Sequence, residues 1–287
     1  MAAPTRPRYA RLMSEANPEV AEHYRREAGD LGNRILAALQ AAGKDIDHLT
    51  PDDLAPVDQF HTRGLAATVD LATLLKLRGD ERVLDVGSGL GGPSRYLAHR
   101  FRVAVTGIDL TPEFVVAATM LAERTGLAGR VRYRQGNALA LPFEDESFDV
   151  VWSQNVAMNI ADRDRLYGEM RRVLRPGGRL ALNEILAGAG GTPHFPVAWA
   201  RTPATSFLFN AEAMQARLQA AGFRLLEWQD TSAAALEFSR KRAAAGPSPL
   251  GIHVVMGADW PAMSANMARN FAEDRVRAMN AVLERMR

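Results

Sequence analysis

The sequence predicts an α/β protein built on a doubly wound, mostly parallel sheet. Three observations carry that expectation. From residue 82 onward, short apolar segments alternate with amphipathic helical ones. The first apolar segment, in "VLDVGSGLGGPSRYL" (residues 83–97), runs straight into glycines and out into a helix, the form of a ligand-binding turn at the carboxyl end of a parallel strand. The 287 residues, 47% apolar and 24% charged, have the composition of a soluble globular chain with one substantial core.

Residues 1 to about 80 read as helical in "PEVAEHYRREAGDLGNRILAALQAA" and "GLAATVDLATLLKL", with a polar loop "GKDIDHLTPDDLAPVDQFHTR" between them. "RVLDVG" is the first strand, and Gly92 and Pro93 open the helix that follows. "VAVTGID" is the second strand. The next helix has Thr111 as cap, Pro112 in its first turn and Gly126 as its stop. "VRYRQGNA", "FDVVWSQ" and "RLALNEIL" give three more strands, and "DRDRLYGEMRRVLRPGG" a helix ended by Pro176 and two glycines. A helix capped by Asn210 leads into "FRLLEWQD". Beyond residue 232 local propensity favours helix in "WPAMSANMARNFAEDRVRAMNAVLERMR", while "RVRAMNAVLER" also has the pattern of a closing strand.

A formal charge of +2 provides no strong field for nucleic acid or a membrane surface, and the absence of cysteine excludes disulfides and thiolate chemistry. No His/Asp/Glu cluster has metal-ligand spacing, no apolar run is long enough for a bilayer, and "MAAPTRPRYARL" has no signal-like core. The expectation is a cytoplasmic monomer or homodimer acting on a small molecule, with no metal, nucleic acid or membrane partner.

Gly87, Gly89 and Gly92 fit G-x-G-x-x-G, which taken alone suggests a nicotinamide dinucleotide. Asp85 argues otherwise: a carboxylate just ahead of the glycines repels a pyrophosphate and suits a cationic amino-acid moiety. Asp109, ending the second strand, can accept ribose hydroxyls in either case. "GNALALPFEDESFDVVWS" and "RVLRPGGRLAL", at regular distances downstream, are not features of a nicotinamide domain.

Taken together, "DVGSGLGG", "GIDLT", "GNA…LPF" and "LRPGG" resemble the class I S-adenosylmethionine-dependent methyltransferases over roughly residues 56–230. "DVGSGLGGPSRYLAHRF", "VWSQNVAMNI" and "QFHTRGLAAT" are similar to the phosphoethanolamine and sarcosine/dimethylglycine N-methyltransferases of that superfamily. The resemblance implies a seven-stranded Rossmann-like sheet, with residues 1–63 as a helical cap and cofactor-closing segment. Residues 64–287 are then the methyltransferase domain, with a substrate lid at about 187–209. It implies that Asp85, Gly87, Ser88 and Gly89 hold the methionine part of S-adenosylmethionine, and that Asp109 takes the ribose while Leu110 packs on adenine. Asn137, Ala138 and Leu139 lie at the adenine edge, Gln154 and Asn155 near the sulfur, and Gln59, Thr62, Arg63 and Gly64 over the carboxylate. The acceptor it implies is an amine nitrogen. An O- or C-methyltransferase of a natural product or quinol-like ring is the alternative, and a non-catalytic cofactor-binding module a second one.

His61 is the first candidate base, with a backbone-satisfied histidine as the competing reading. Tyr24, on an N-terminal helix placed to cap the site, and His194 are further candidate bases, with simple packing as the competing reading for Tyr24. Asn159 stands where the phosphoethanolamine enzymes have a histidine beside the acceptor, which weakens that substrate assignment. Glu184 either faces the pocket or caps nearby backbone. The long stretch after the fifth strand reads as a lid, with His194, Phe195, Trp199 and Phe207 as an acceptor wall. The arginines of "RRVLR" read as a solvated face, and Met256, Met263, Met267, Met279 and Met286 as core or interface filler.

Overall fold

The structure is a computed structural model that describes residues 18–25, 31–245 and 248–287. Its centre is a seven-stranded sheet of order β3-β2-β1-β4-β5-β7-β6. The strands are β1 (Arg82–Val86), β2 (Ala104–Asp109), β3 (Val131–Gln135), β4 (Phe148–Gln154), β5 (Leu174–Ala187), β6 (Phe223–Asp230) and β7 (Val276–Arg285). β1 to β5 pair in parallel, and β7 inserts antiparallel between β5 and β6. Residues 276–285 are thus strand, against their local helical propensity. Ala281, Leu283 and Val282 of this segment alternate between the two sheet faces and are buried on both. Pairing with two neighbours outweighs propensity there.

Helices cover both faces, as the near-continuous apolar strands require. On one side α7 (Arg163–Val173) and α8 (Ala211–Ala220) pack Leu166, Met170 and Leu218 on Leu84, Val151 and Leu182. On the other, α4 (Leu65–Leu75) and α5 (Gly92–Phe101) pack Leu71 and Leu97 on Val83, Val105 and Trp152.

The cap comprises α1 (Pro18–Arg25), α2 (Leu31–Ala41) and α3 (Pro51–Asp58). It seats Ile35, Leu54 and Val57 on Phe114 and Leu121 of α6 (Pro112–Arg124). The segment expected as loop contains α3 because Thr50 and Asp53 form a reciprocal capping box that starts it. Between β6 and β7 lie α9 (Ser232–Ala245), α10 (His253–Met256) and α11 (Trp260–Ala272). α9 and α11 pack with Val197, Trp199 and Ala200 against β5 and β7, whereas α10 seats Val255 on the cap helices. No helix among the described residues is long and apolar enough to cross a membrane.

Candidate active site

Strand order reverses between β1 and β4, and the crevice at their carboxyl ends opens into a cavity of about 720 Å³. Its floor is the turn after β1. The N–H groups of Gly87 and Ser88 both donate to the Ile108 carbonyl, and Gly89 N–H donates to Asp109 Oδ2 at 2.8 Å. Asp109 Oδ1 accepts Thr111 N–H at 2.9 Å, so one carboxylate on β2 fixes the turn on β1. Gly89 has φ +50° and a Cβ there would meet nothing within 4 Å. Glycine therefore serves the backbone conformation and leaves the space above it open to a ligand.

Asp85 is buried, and its Oδ2 accepts the Ser94 hydroxyl at 2.5 Å. Burial, opposed by Ser94 and reinforced by Asp109, raises its carboxyl to about 7. Asp109 is raised by the same withdrawal from water, offset by the N–H groups it accepts. Two acids crowded into one crevice favour a cationic, hydroxyl-bearing ligand.

The opposite wall is a chain of buried polar groups. The Thr68 hydroxyl donates to Gln59 Oε1 at 2.7 Å, His61 Nε2 donates to the Gly64 carbonyl at 2.9 Å, and Trp152 Nε1 donates to Gln154 Oε1 at 3.0 Å. This fixes the Gln154 amide with Nε2 buried and without a protein partner. Asn155 Oδ1 and Ser88 Oγ share that condition. Three orphaned polar atoms on the wall of one cavity call for a polar ligand. Arg63 and Asn155, also on the wall, are held at φ 73° and 53°, a conformation that side-chain-bearing residues adopt at a cost and that clusters at binding sites.

Gln59, His61, Thr62, Arg63, Gly64, Asp85, Gly87, Ser88, Gly89, Asp109, Leu110, Asn137, Ala138, Leu139, Gln154, Asn155 and Asn159 all line this cavity. Some of them are engaged otherwise than the sequence suggested. Arg63 pairs with Asp70 at 2.6 Å, and Asn137 Oδ1 accepts Leu139 N–H at 2.9 Å. Burial, against the pull of the Gly64 carbonyl, drops the His61 imidazole to about 4, so at neutral pH it is an uncharged fastener of the 59–64 turn. Asn159 Nδ2 donates to the Trp199 and Thr205 carbonyls, at 2.8 and 3.1 Å, and ties down residues 199–205. Glu184 Oε1 accepts Val156 and Ala157 N–H, so it caps the turn after β4 and stays off the cavity wall. The side chain of Tyr24 lies outside the described residues, although Val20 of the same helix lines the cavity and His23 meets the Ala198 carbonyl at 3.0 Å.

Of the expected acceptor wall, Trp199 and Phe207 line the cavity and His194 and Phe195 do not. His194 bonds Glu273 at 2.8 Å, and Phe195 packs on an apolar cluster that joins Val197, Trp199 and Ala200 to Ile185, Ala278 and Phe271. A large apolar part of the cavity wall is one that sequence reading missed. Trp260, Ser264, Met267 and Phe271 form an i, i+4, i+7, i+11 stripe on α11, joined by Met256 and by Phe238, Ser239 and Arg242 of α9. Met267 is thus a core residue, as expected, that also lines the cavity, and Met256 lines the cavity as well. The stripe was readable as helical periodicity, but nothing local showed that it faced a ligand space.

The strand order and the crevice at β1 and β4 are those of the Rossmann-like methyltransferase fold. Residues 84–182 match the family described as Methyltransferase domain. Methyltransferase GfsG of Streptomyces halstedii is 34% identical over 178 residues, 61% of this chain and 64% of that protein. The 27-O-demethylrifamycin SV methyltransferase of Amycolatopsis mediterranei is 37% identical over 148 residues, 51% of this chain and 53% of that protein. The chain thus covers less than two thirds of the length of these curated relatives. The crystal structure of the [4+2]-cyclase SpnF superposes with a TM-score of 0.63 at 27% identity, over 88% of this chain and 94% of that one. Neither relative is named for an amine, and one is named for an oxygen site.

Proposed function

We propose that the chain is an S-adenosylmethionine-dependent methyltransferase that acts on a small, largely apolar molecule, at a hydroxyl oxygen in preference to the amine nitrogen expected from sequence. The observation that carries the reading is the cavity itself: acids and orphaned amides along the β1–β4 crevice, continuous with an apolar chamber under α9–α11. Its residues fit the cofactor. Asp85 suits the amino-acid ammonium, Asp109 the ribose hydroxyls, Leu110 the adenine face, and Gln154 Nε2 an acceptor atom of the methionine portion.

When bound, that cofactor supplies a methyl on a sulfonium, already joined to a good leaving group. The chain's own work is then alignment and exclusion of water. Glu184 fixes the turn that carries Gln154 and Asn155, the His61–Thr68–Gln59 chain fixes the wall opposite, and the lid closes through Asn159. An amine acceptor has less support. Asp58, on the cavity wall, is already paired with Arg95 and so is not available to hold an ammonium. The relative named for an O-methyl site supports the oxygen reading.

A second reading, a chain that keeps the cofactor without transferring its methyl, is favoured by the likeness to the structure titled as a [4+2]-cyclase. A screen with isotopically labelled cofactor over phenols, aliphatic alcohols, amines and activated carbons, read by mass, separates the three. A labelled ether supports the proposal and a labelled amine restores the nitrogen reading. Cofactor binding without any labelled product supports the second reading.

A further inference from the structure

The apolar chamber contains one cation whose charge no group among the described residues answers. Two arginines line the cavity. Arg63 is paired with Asp70. Arg242, half-buried on α9, makes no ion pair or hydrogen bond among the described residues and instead lies over the Trp260 ring, 5.7 Å from its centroid. Ser239, Ser264, Ile252, Met256, Met267 and Phe271 line the same cavity. A guanidinium withdrawn into apolar surroundings is costly unless an acceptor reaches its fork of donors. The aromatic shelf orients that fork, and the Ser264 hydroxyl on the same wall offers a further donor, whereas Ser239 already donates its proton to the Ala235 carbonyl at 2.9 Å.

We propose that Arg242 is a specificity-determining residue, and that the molecule taken by this chamber is amphipathic: an apolar body against α10 and α11 and an anionic oxygen group bound by Arg242. That this molecule is the methyl acceptor rests on the function proposed above; the anion site itself does not. A planar anion gives the guanidinium two parallel charge-assisted bonds, and the methionines adapt to the body's outline.

The test uses two probes of similar shape on the full chain, 1-anilinonaphthalene-8-sulfonate and the uncharged N-phenyl-1-naphthylamine, both titrated by fluorescence. S-adenosylhomocysteine affinity is measured by calorimetry on the same preparations. Arg242→Met is expected to weaken the sulfonate by about tenfold, the scale of one charge-assisted hydrogen bond, and to leave the neutral probe and S-adenosylhomocysteine unchanged. Arg242→Lys retains part of the sulfonate affinity, and Met267→Trp, which fills the chamber, weakens both probes. No sulfonate binding by the native chain, equal losses for the two probes in Arg242→Met, or undiminished binding by Met267→Trp overturns the anion site. Failure of S-adenosylhomocysteine to bind the native chain overturns the methyltransferase reading instead.

Discussion

Asp58 of α3 and Arg95 of α5 meet at 2.7 Å with side chains 1% and 0% exposed, so the cap is joined to the glycine-loop helix by a fully buried ion pair. Arg95 also donates to the Leu90 carbonyl at 2.7 Å, at the turn that bears the ligand crevice. Removing one partner strands a buried charge. Asp58→Ala is expected to cost about 3–5 kcal/mol, read as a lowered urea midpoint. The double variant Asp58→Leu/Arg95→Met is expected to recover much of that loss. Equal destabilisation by the single and double variants contradicts the coupling.

That pair also marks where the sequence stopped being legible. The β1–turn–α5 unit could be read because its information is local: apolar strand, Asp85, glycines and Pro93 in one run. Asp109 was legible for the same reason, as the last residue of a strand. Asp58 and Arg95 are 37 residues apart and look like ordinary surface charges until the fold brings them together. The strand at 276–285 depends on two partners distant in sequence, β5 and β6. The Trp260–Phe271 stripe depends on α11 lying over the crevice. His61 was found by motif, but its low basicity comes from burial that no motif contains.

Asp109 has two duties, bracing Gly89 and Thr111 N–H and facing the ligand space. Asp109→Asn keeps an oxygen for one of those N–H groups and removes the charge. Cofactor affinity is expected to fall between about tenfold and a hundredfold, the loss of one charge-assisted bond, with little change in melting temperature. Asp109→Ala adds a loosened turn and loses stability as well. Calorimetry with S-adenosylhomocysteine alongside thermal melting separates the two duties, and unchanged affinity in both variants removes Asp109 from the site.

Burial raises the carboxyls of Asp85 and Glu184 to about 7. Between the unfolded values near 4 and these folded values, the native state binds more protons than the unfolded state. Stability is therefore present at low pH and lost as pH rises towards about 7. Glu184→Gln flattens that slope, measured by urea unfolding across the same range. Ligand binding runs the other way: a cation is best met by ionised Asp85, so cofactor affinity rises with pH up to about 7 and then levels off. An affinity independent of pH in that interval places the ammonium elsewhere.

Asn159 distinguishes a fastener from a chemical participant. Its amide spans the Trp199 and Thr205 carbonyls, while Arg163 holds the Phe207 carbonyl and Phe207 N–H donates to the Met158 carbonyl, so residues 158–163 grip the 199–207 segment, the lid proposed above, at several points. Asn159→Ala leaves two buried carbonyls without a donor, and a loss of about 1–3 kcal/mol is expected in urea unfolding. The lid then samples open positions, which raises KM for the acceptor identified in the screen. The kcat at saturation and the affinity for S-adenosylhomocysteine stay near native values. Lid closure contributes binding that ground and transition states share, so its loss belongs in KM. A kcat that falls with KM unchanged identifies Asn159 as a group acting on the acceptor itself.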